Sequence, residues 1–147
     1  MPVNDRMRVV LDTNVLISAL LFGGELRYIT KLLQHGDITP CFSLQTWNEL
    51  EHVFHYSKFA PVLERVHVQP EEILTRLEFD SVFVADSISP LRVREDPADE
   101  AILACAIKAS ARAVVTGDRL LLHCAPRFII PILSPMEFKK SYKHLRI

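Results

Sequence analysis

Apolar positions recur along this chain in two rhythms, short unbroken runs and longer stretches spaced by three and four. Arg8-Val-Val-Leu11 is a run rich in β-branched residues that ends at Asp12, and Asn14 to Phe22 reads as a helix stopped by Gly23-Gly24. Glu25 to His35 places Leu26, Ile29, Leu32 and Leu33 at helical spacing and closes on Gly36. Ile38 to Phe42 is a second strand, and Ser43 caps a helix running to about Tyr56 with Trp47, Leu50, Val53 and Phe54 on one side. Phe59 to Val66 and Pro70 to Phe79 are two further helices, and Ser81 to Ala85 a third strand. An irregular stretch through Arg94 leads to Asp96-Pro97, which starts a helix lasting to about Ala111. Ala113 to Thr116 is a fourth strand, and Phe128 to Leu133 a fifth that Pro131 marks as an edge. Ser134-Pro-Met-Glu137 is a capping box opening a last short helix before a basic tail.

Apolar strands alternating with helices predict a single parallel sheet covered on both faces. The chain has 147 residues without a repeat or linker, so residues 1–147 are expected to form one domain, with 1–7 a short N-terminal tail and 139–147 a basic C-terminal one. Seventeen Lys and Arg against eighteen Asp and Glu remove any argument for a nucleic-acid binder from overall charge. The three cysteines, Cys41, Cys105 and Cys124, fit neither a disulfide framework nor a paired metal motif and read as buried thiols in a reducing compartment. No signal-peptide pattern is present, and Val15 to Phe22 is far short of the ~20 residues that cross a bilayer, so a cytoplasmic protein without a membrane role is expected.

In a parallel sheet, ligands bind beyond the carboxyl ends of the strands, so the residues following each strand carry the candidate chemistry. Asp12 follows Val9-Val10-Leu11 and Asp118 follows Val114-Val115-Thr116 with one glycine between, which projects both from one sheet edge. Each could equally cap the next helix, although Thr13 and Asn14 could relieve Asp12 of that role. Asp99 is more telling: Ile102, Leu103, Ala106 and Ile107 lie three, four, seven and eight positions on, so it shares the apolar stripe of its own helix. A charge there is costly unless paired, neutralised or bound to metal. Asp96 reads first as a helix cap and second as a ligand. Glu49 sits on the edge of its helix's apolar stripe, with Glu51 beside it as an ordinary solvated acid.

If Asp12, Glu49, Asp99 and Asp118 converge, carboxylates ~4 Å apart repel by about 4 kcal/mol per pair at an effective dielectric near 20. Divalent cations or several bound protons would resolve this, and all-oxygen ligands favour Mg²⁺ or Mn²⁺ over zinc. An open site of that kind suits phosphoryl chemistry.

Four segments in order, Val9-Val-Leu-Asp-Thr-Asn-Val-Leu-Ile17, Trp47-Asn-Glu-Leu50, Asp96-Pro-Ala-Asp-Glu100 and Val115-Thr-Gly-Asp118, resemble the PIN domain, and specifically the VapC-like ribonucleases that act as toxins in toxin-antitoxin pairs. The resemblance implies a three-layer α/β/α fold with a parallel five-stranded sheet. It also implies Asp12, Glu49, Asp99 and Asp118 as the catalytic, metal-holding acids, with Asn14 and Thr116 supporting them by hydrogen bonds and Asp96 in a less defined role. It implies further an Mg²⁺- or Mn²⁺-dependent hydrolase acting on single-stranded RNA, frequent homodimers and a small antitoxin partner. Arg119 departs from the pattern by setting a positive side chain beside the cluster, to bind the scissile phosphate or to pair with Asp118.

Two rivals stand beside this reading. A haloacid-dehalogenase-like phosphatase would use Asp12 as nucleophile but normally carries a second Asp where this chain has Asn14, and a non-catalytic RNA- or protein-binding module would have no reason to keep a repulsive cluster. Glu49-Leu-Glu-His52 occurs once, too few for a di-iron bundle. The tail Lys139, Lys140, Lys143 and Arg146 reads as a solvated face rather than an RNA contact.

Overall fold

The computed structural model describes residues 6–93 and 96–145. Five strands, β1 (Met7–Leu11), β2 (Ile38–Ser43), β3 (Val82–Val84), β4 (Ala113–Val115) and β5 (Ile132–Leu133), form one parallel sheet in the order β3-β2-β1-β4-β5. The helices are α1 (Thr13–Ile17), α2 (Arg27–Gln34), α3 (Leu44–Phe54), α4 (Ala60–Arg65), α5 (Pro70–Asp80), α6 (Pro97–Lys108), α7 (Arg119–Leu122) and α8 (Pro135–Leu145). This is the three-layer α/β/α arrangement expected from the sequence.

Unbroken apolar strands dictate two cores, because successive side chains point to opposite faces. Val9, Leu11, Ile38, Phe42 and Val115 face a core filled by α1 to α5 and by Phe138 of α8. Val10, Cys41, Val114 and Ile132 face a second core made with Ile102, Leu103, Ala106 of α6 and Leu121 of α7. Cys41, Cys105 and Cys124 are all buried free thiols, and burial pushes Cys41 up to about 12 and Cys105 to about 11. Among the described residues no helix is long and apolar enough to cross a membrane.

Several boundaries differ from expectation for identifiable reasons. Met7 is not tail but the buried first residue of β1, hydrogen-bonded in register with Ile38. α6 ends at Lys108 rather than Ala111. Ser110 takes a positive φ of 52°, while Ala111 N–H donates to Ala106 C=O at 2.9 Å and Ser110 N–H to Ile107 C=O at 3.1 Å. That is a Schellman stop built without the glycine that would announce it. The fifth strand shrinks from Phe128–Leu133 to Ile132–Leu133, since its partner β4 offers only three residues and pairs with these two. The capping box is present, with Ser134 N–H donating to Glu137 Oε1 and Glu137 N–H to Ser134 Oγ. Its helix, however, runs to Leu145, so Lys139, Lys140 and Lys143 lie on α8 and not on a tail; Arg146 falls outside the described residues.

The order β3-β2-β1-β4-β5 reverses direction between β1 and β4. Chains leave those two neighbouring strands toward opposite sides, which opens a crevice at their carboxyl ends.

Candidate metal centre

Asp12 leaves β1 at that crevice and stands at the N-cap position of α1, yet its side chain makes no cap hydrogen bond. Instead Oδ2 accepts from the Thr116 hydroxyl at 2.7 Å. Thr116 follows β4 and is fully buried, and its Oγ1 in turn accepts from Asp118 N–H at 3.0 Å. One hydroxyl therefore ties the acid beyond β1 to the turn beyond β4. Burial raises Asp12 above the usual carboxylate range; the Thr116 bond draws it back, Asp118 raises it again, and the nearby backbone amides of Asn14 and Thr13 oppose.

α6 delivers two more acids. Asp96 is its N-cap, accepting from Ala98 N–H at 3.1 Å and Asp99 N–H at 3.2 Å, with Pro97 at the first helical position. Asp99 lies in the first turn on the buried face, only 5 % exposed. Its Oδ2 is buried without any hydrogen-bond partner, the one such side-chain atom among the described residues. A helix N-terminus favours an ionised carboxylate. Burial, contact with the Asp118 carboxyl and the charges of Asp96, Asp118 and Asp12 prevail, and Asp99 is pushed up to about 8. Asp118 is half-buried and caps α7, accepting from Leu120 N–H at 2.9 Å.

Asp96, Asp99 and Asp118 each offer one oxygen, and these three atoms lie within 4.8 Å of one another. Asp12 and the exposed Glu49 stand outside that trio but line the same pocket, a cavity of about 380 Å³ that also takes in Asn14, Gln45 and Thr46. Among the described residues no Lys, Arg or His forms an ion pair with any of these five acids.

The structure thus brings together all four acids picked out from the sequence, and it gives Asp96 both readings weighed for it, as cap and as member of the trio. Thr116 makes the hydrogen bond expected of it. Asn14 lines the pocket, but its side chain makes no hydrogen bond among the described contacts. Arg119 is exposed at the start of α7 and is not among the described residues lining the pocket. Gln45 and Thr46 went unread, because Thr46 carries a local signal of its own. It closes a capping box with Ser43 that explains it without a site.

The donor set fits a divalent cation. The donors are carboxylate oxygens only, Asp99 Oδ2 is buried and unpartnered, and among the described residues no cation pairs with the cluster. Hard cations such as Mg²⁺ and Mn²⁺ match such donors, whereas zinc sites draw on His and Cys.

Fold and site together define an α/β protein with a cluster of acids, able to hold a cation, at the switch point of a parallel sheet. The sequence matches the family model of the PIN domain over residues 8–120, and the chain belongs to that family. PIN domains are typically metal-dependent nucleases, and the acidic cluster such chemistry needs is present here. Among solved structures, that of the PIN domain endonuclease Utp24 is similar with a TM-score of 0.46 and 23% identity, over 90% of this chain and 88% of that one. No curated protein matches the sequence.

Proposed function

We propose that this protein is a metal-dependent endoribonuclease that cuts single-stranded RNA at internal phosphodiesters. The observation that carries this reading is the trio Asp96, Asp99 and Asp118 with the orphaned Asp99 Oδ2, an arrangement that holds a proton on Asp99 unless a cation takes its place. Asp96, Asp99 and Asp118 would hold the cation, with Asp12 beside them. Mg²⁺ or Mn²⁺ bound there would polarise the phosphate and lower the pKa of a water, making hydroxide available to attack it. Thr116 fixes the rotamer of Asp12 by its 2.7 Å hydrogen bond, so this acid is oriented before substrate arrives. Glu49, exposed on α3, also lines the pocket. Until the site is loaded, Asp99 carries a proton and the other acids of the pocket, with no paired cation among the described residues, disfavour a polyanion, which makes RNA binding in the pocket contingent on metal.

The test is incubation of purified protein with single-stranded RNA and Mn²⁺, with EDTA and Asp12→Asn as controls. Cleavage that both controls abolish supports the reading, and cleavage that survives them sinks it. Activity confined to small phosphate esters would favour a phosphatase, and binding without cleavage a non-catalytic module.

The finer role rests on the resemblance of the four motif segments to VapC-like ribonucleases. In that role the protein is the toxin of a toxin-antitoxin pair, a homodimer held silent by a small antitoxin. A short open reading frame beside the gene whose product blocks cleavage supports it; a gene without such a neighbour counts against it.

A further inference from the structure

The basic residues of this chain are distributed unevenly. Residues 101–147 carry eight Lys or Arg and two Asp or Glu, whereas residues 1–100 carry nine and sixteen. The near-neutral total conceals a basic C-terminal part joined to an acidic remainder. α8 concentrates this charge. Phe138 is fully buried and Tyr142 packs on it at 6.2 Å between ring centroids, so Lys139, Lys140 and Lys143 all fall on the exposed side.

α2 extends the same face. The Tyr28 hydroxyl donates to the Pro135 carbonyl, the Tyr28 ring lies 6.5 Å from that of Phe138, and Lys139 Nζ sits 5.4 Å from the Tyr28 centroid. These contacts dock the two helices, and Arg27 and Lys31 of α2 are exposed as well. Glu137, in the first turn of α8, is occupied by Ser134 N–H. The face also has a fixed relation to the pocket. Thr116 N–H donates to Leu133 C=O at 3.0 Å, so α8 begins at the sheet edge where Thr116 and Asp118 leave β4.

We propose that Arg27, Lys31, Lys139, Lys140 and Lys143 form a track for the phosphate backbone of single-stranded RNA, leading along α8 to the acidic pocket. The inference rests on the reading of the protein as a ribonuclease. A repulsive catalytic pocket needs its substrate held by other groups, and ammonium and guanidinium groups on one rigid face supply that at any base sequence. The exposed charges of α5, Glu71, Glu72, Glu78 and Asp80 against Arg76, have the opposite net sign and offer a polyanion no competing site.

Binding of fluorescein-labelled oligouridylate, followed by anisotropy in EDTA over a potassium chloride series, tests the track without cleavage. Replacing Lys139, Lys140 and Lys143 by Gln removes three surface charges, and an unchanged melting temperature certifies the fold. Affinity should fall about tenfold or more, and the slope of log Kd against log salt should decrease by about 2, near 0.7 per lost phosphate contact. Lys58→Gln with Arg65→Gln, on the acidic side, should bind as the wild type does. Equal losses in both variants, no loss in the triple variant, or no binding by the wild type would each overturn the track. So would lysine-dependent capture of poly-glutamate with no capture of RNA, which marks an acidic protein partner instead. A parallel cleavage assay in Mn²⁺ separates the two ideas. RNA cut by a wild type whose binding ignores the lysines sinks the track alone, and lysine-dependent binding without cutting sinks the ribonuclease reading alone.

Discussion

Helix α3 borders two groups of charges that obey opposite rules. At its C-terminal end His55 Nε2 meets Glu71 Oε1 at 3.0 Å in open solvent, with Nδ1 of the same ring against Glu51 C=O at 2.8 Å. Along its flank Glu49 lines a pocket in which Asp12, Asp96, Asp99 and Asp118 have no cation among the described residues. The outer pair is matched, wet and replaceable. The inner group is unmatched, partly dry and held in place by backbone amides and one threonine. A fold that pairs its charges at the surface, yet leaves this inner group without a protein cation among the described residues, is suited to a partner from solution.

The contrast is broken most severely at Asp99. Asp99→Asn should lower metal-dependent RNA cleavage by at least about 100-fold and weaken Mn²⁺ binding seen by calorimetry in parallel, since losing even a supporting contact costs 10–100-fold. Thr116→Val should cost about 10–100-fold in kcat/KM by freeing Asp12, and Thr116→Ser should recover most of it.

Next comes the pH response. Asp99 keeps its proton to about pH 8 when folded, whereas the unfolded chain releases it near pH 4. Stability from this group in the metal-free protein is therefore full below about pH 4 and is lost as pH rises toward 8. The melting temperature in EDTA should fall over that window, and saturating Mn²⁺ should restore it by RT ln(1 + [L]/Kd), about 2.7 kcal/mol at 100 Kd. Asp99→Asn in EDTA should flatten the profile; an unaltered slope would place the pH dependence elsewhere.

Asp96 divides its two roles between two variants. Asp96→Asn keeps the helix cap and removes a charge, so the metal-free melting temperature should hold while Mn²⁺ affinity drops; Asp96→Ala should also lose about 1 kcal/mol of cap. The smallest effect belongs to the outer pair. His55→Ala should leave both melting temperature and cleavage at wild-type values, because an exposed and screened ion pair contributes little.

The sequence announces those parts of the molecule whose causes are local. The stripe Ile102, Leu103 and Ala106 put Asp99 on an inward face, although Ile107, counted with it, is exposed, and Ser134 with Glu137 announced the start of α8. What escaped depends on partners distant in the chain or on signals already spent. The length of β5 is set by β4, and the end of α6 rests on a left-handed Ser110 in place of glycine. α7 has four residues, too few to show a period. Thr46 has a sufficient local role in the capping box with Ser43, which hid its position at the pocket, whereas Asp96 reads as both cap and candidate ligand. Lys139 to Lys143 looked like a tail because the anchoring residues Phe138 and Tyr142 gain their meaning only when α2 lies beneath them.

The bond between Thr116 and Asp12 joins residues 104 positions apart. Strand β1 is made first in synthesis, but its acid has no neighbour to orient it until β4 is made and pairs with Val9, Val10 and Leu11. Asp118 comes later still. A growing chain thus carries a fragmentary centre until Asp118 has been added. Whatever chemistry this centre performs waits on a pairing between distant parts of the chain.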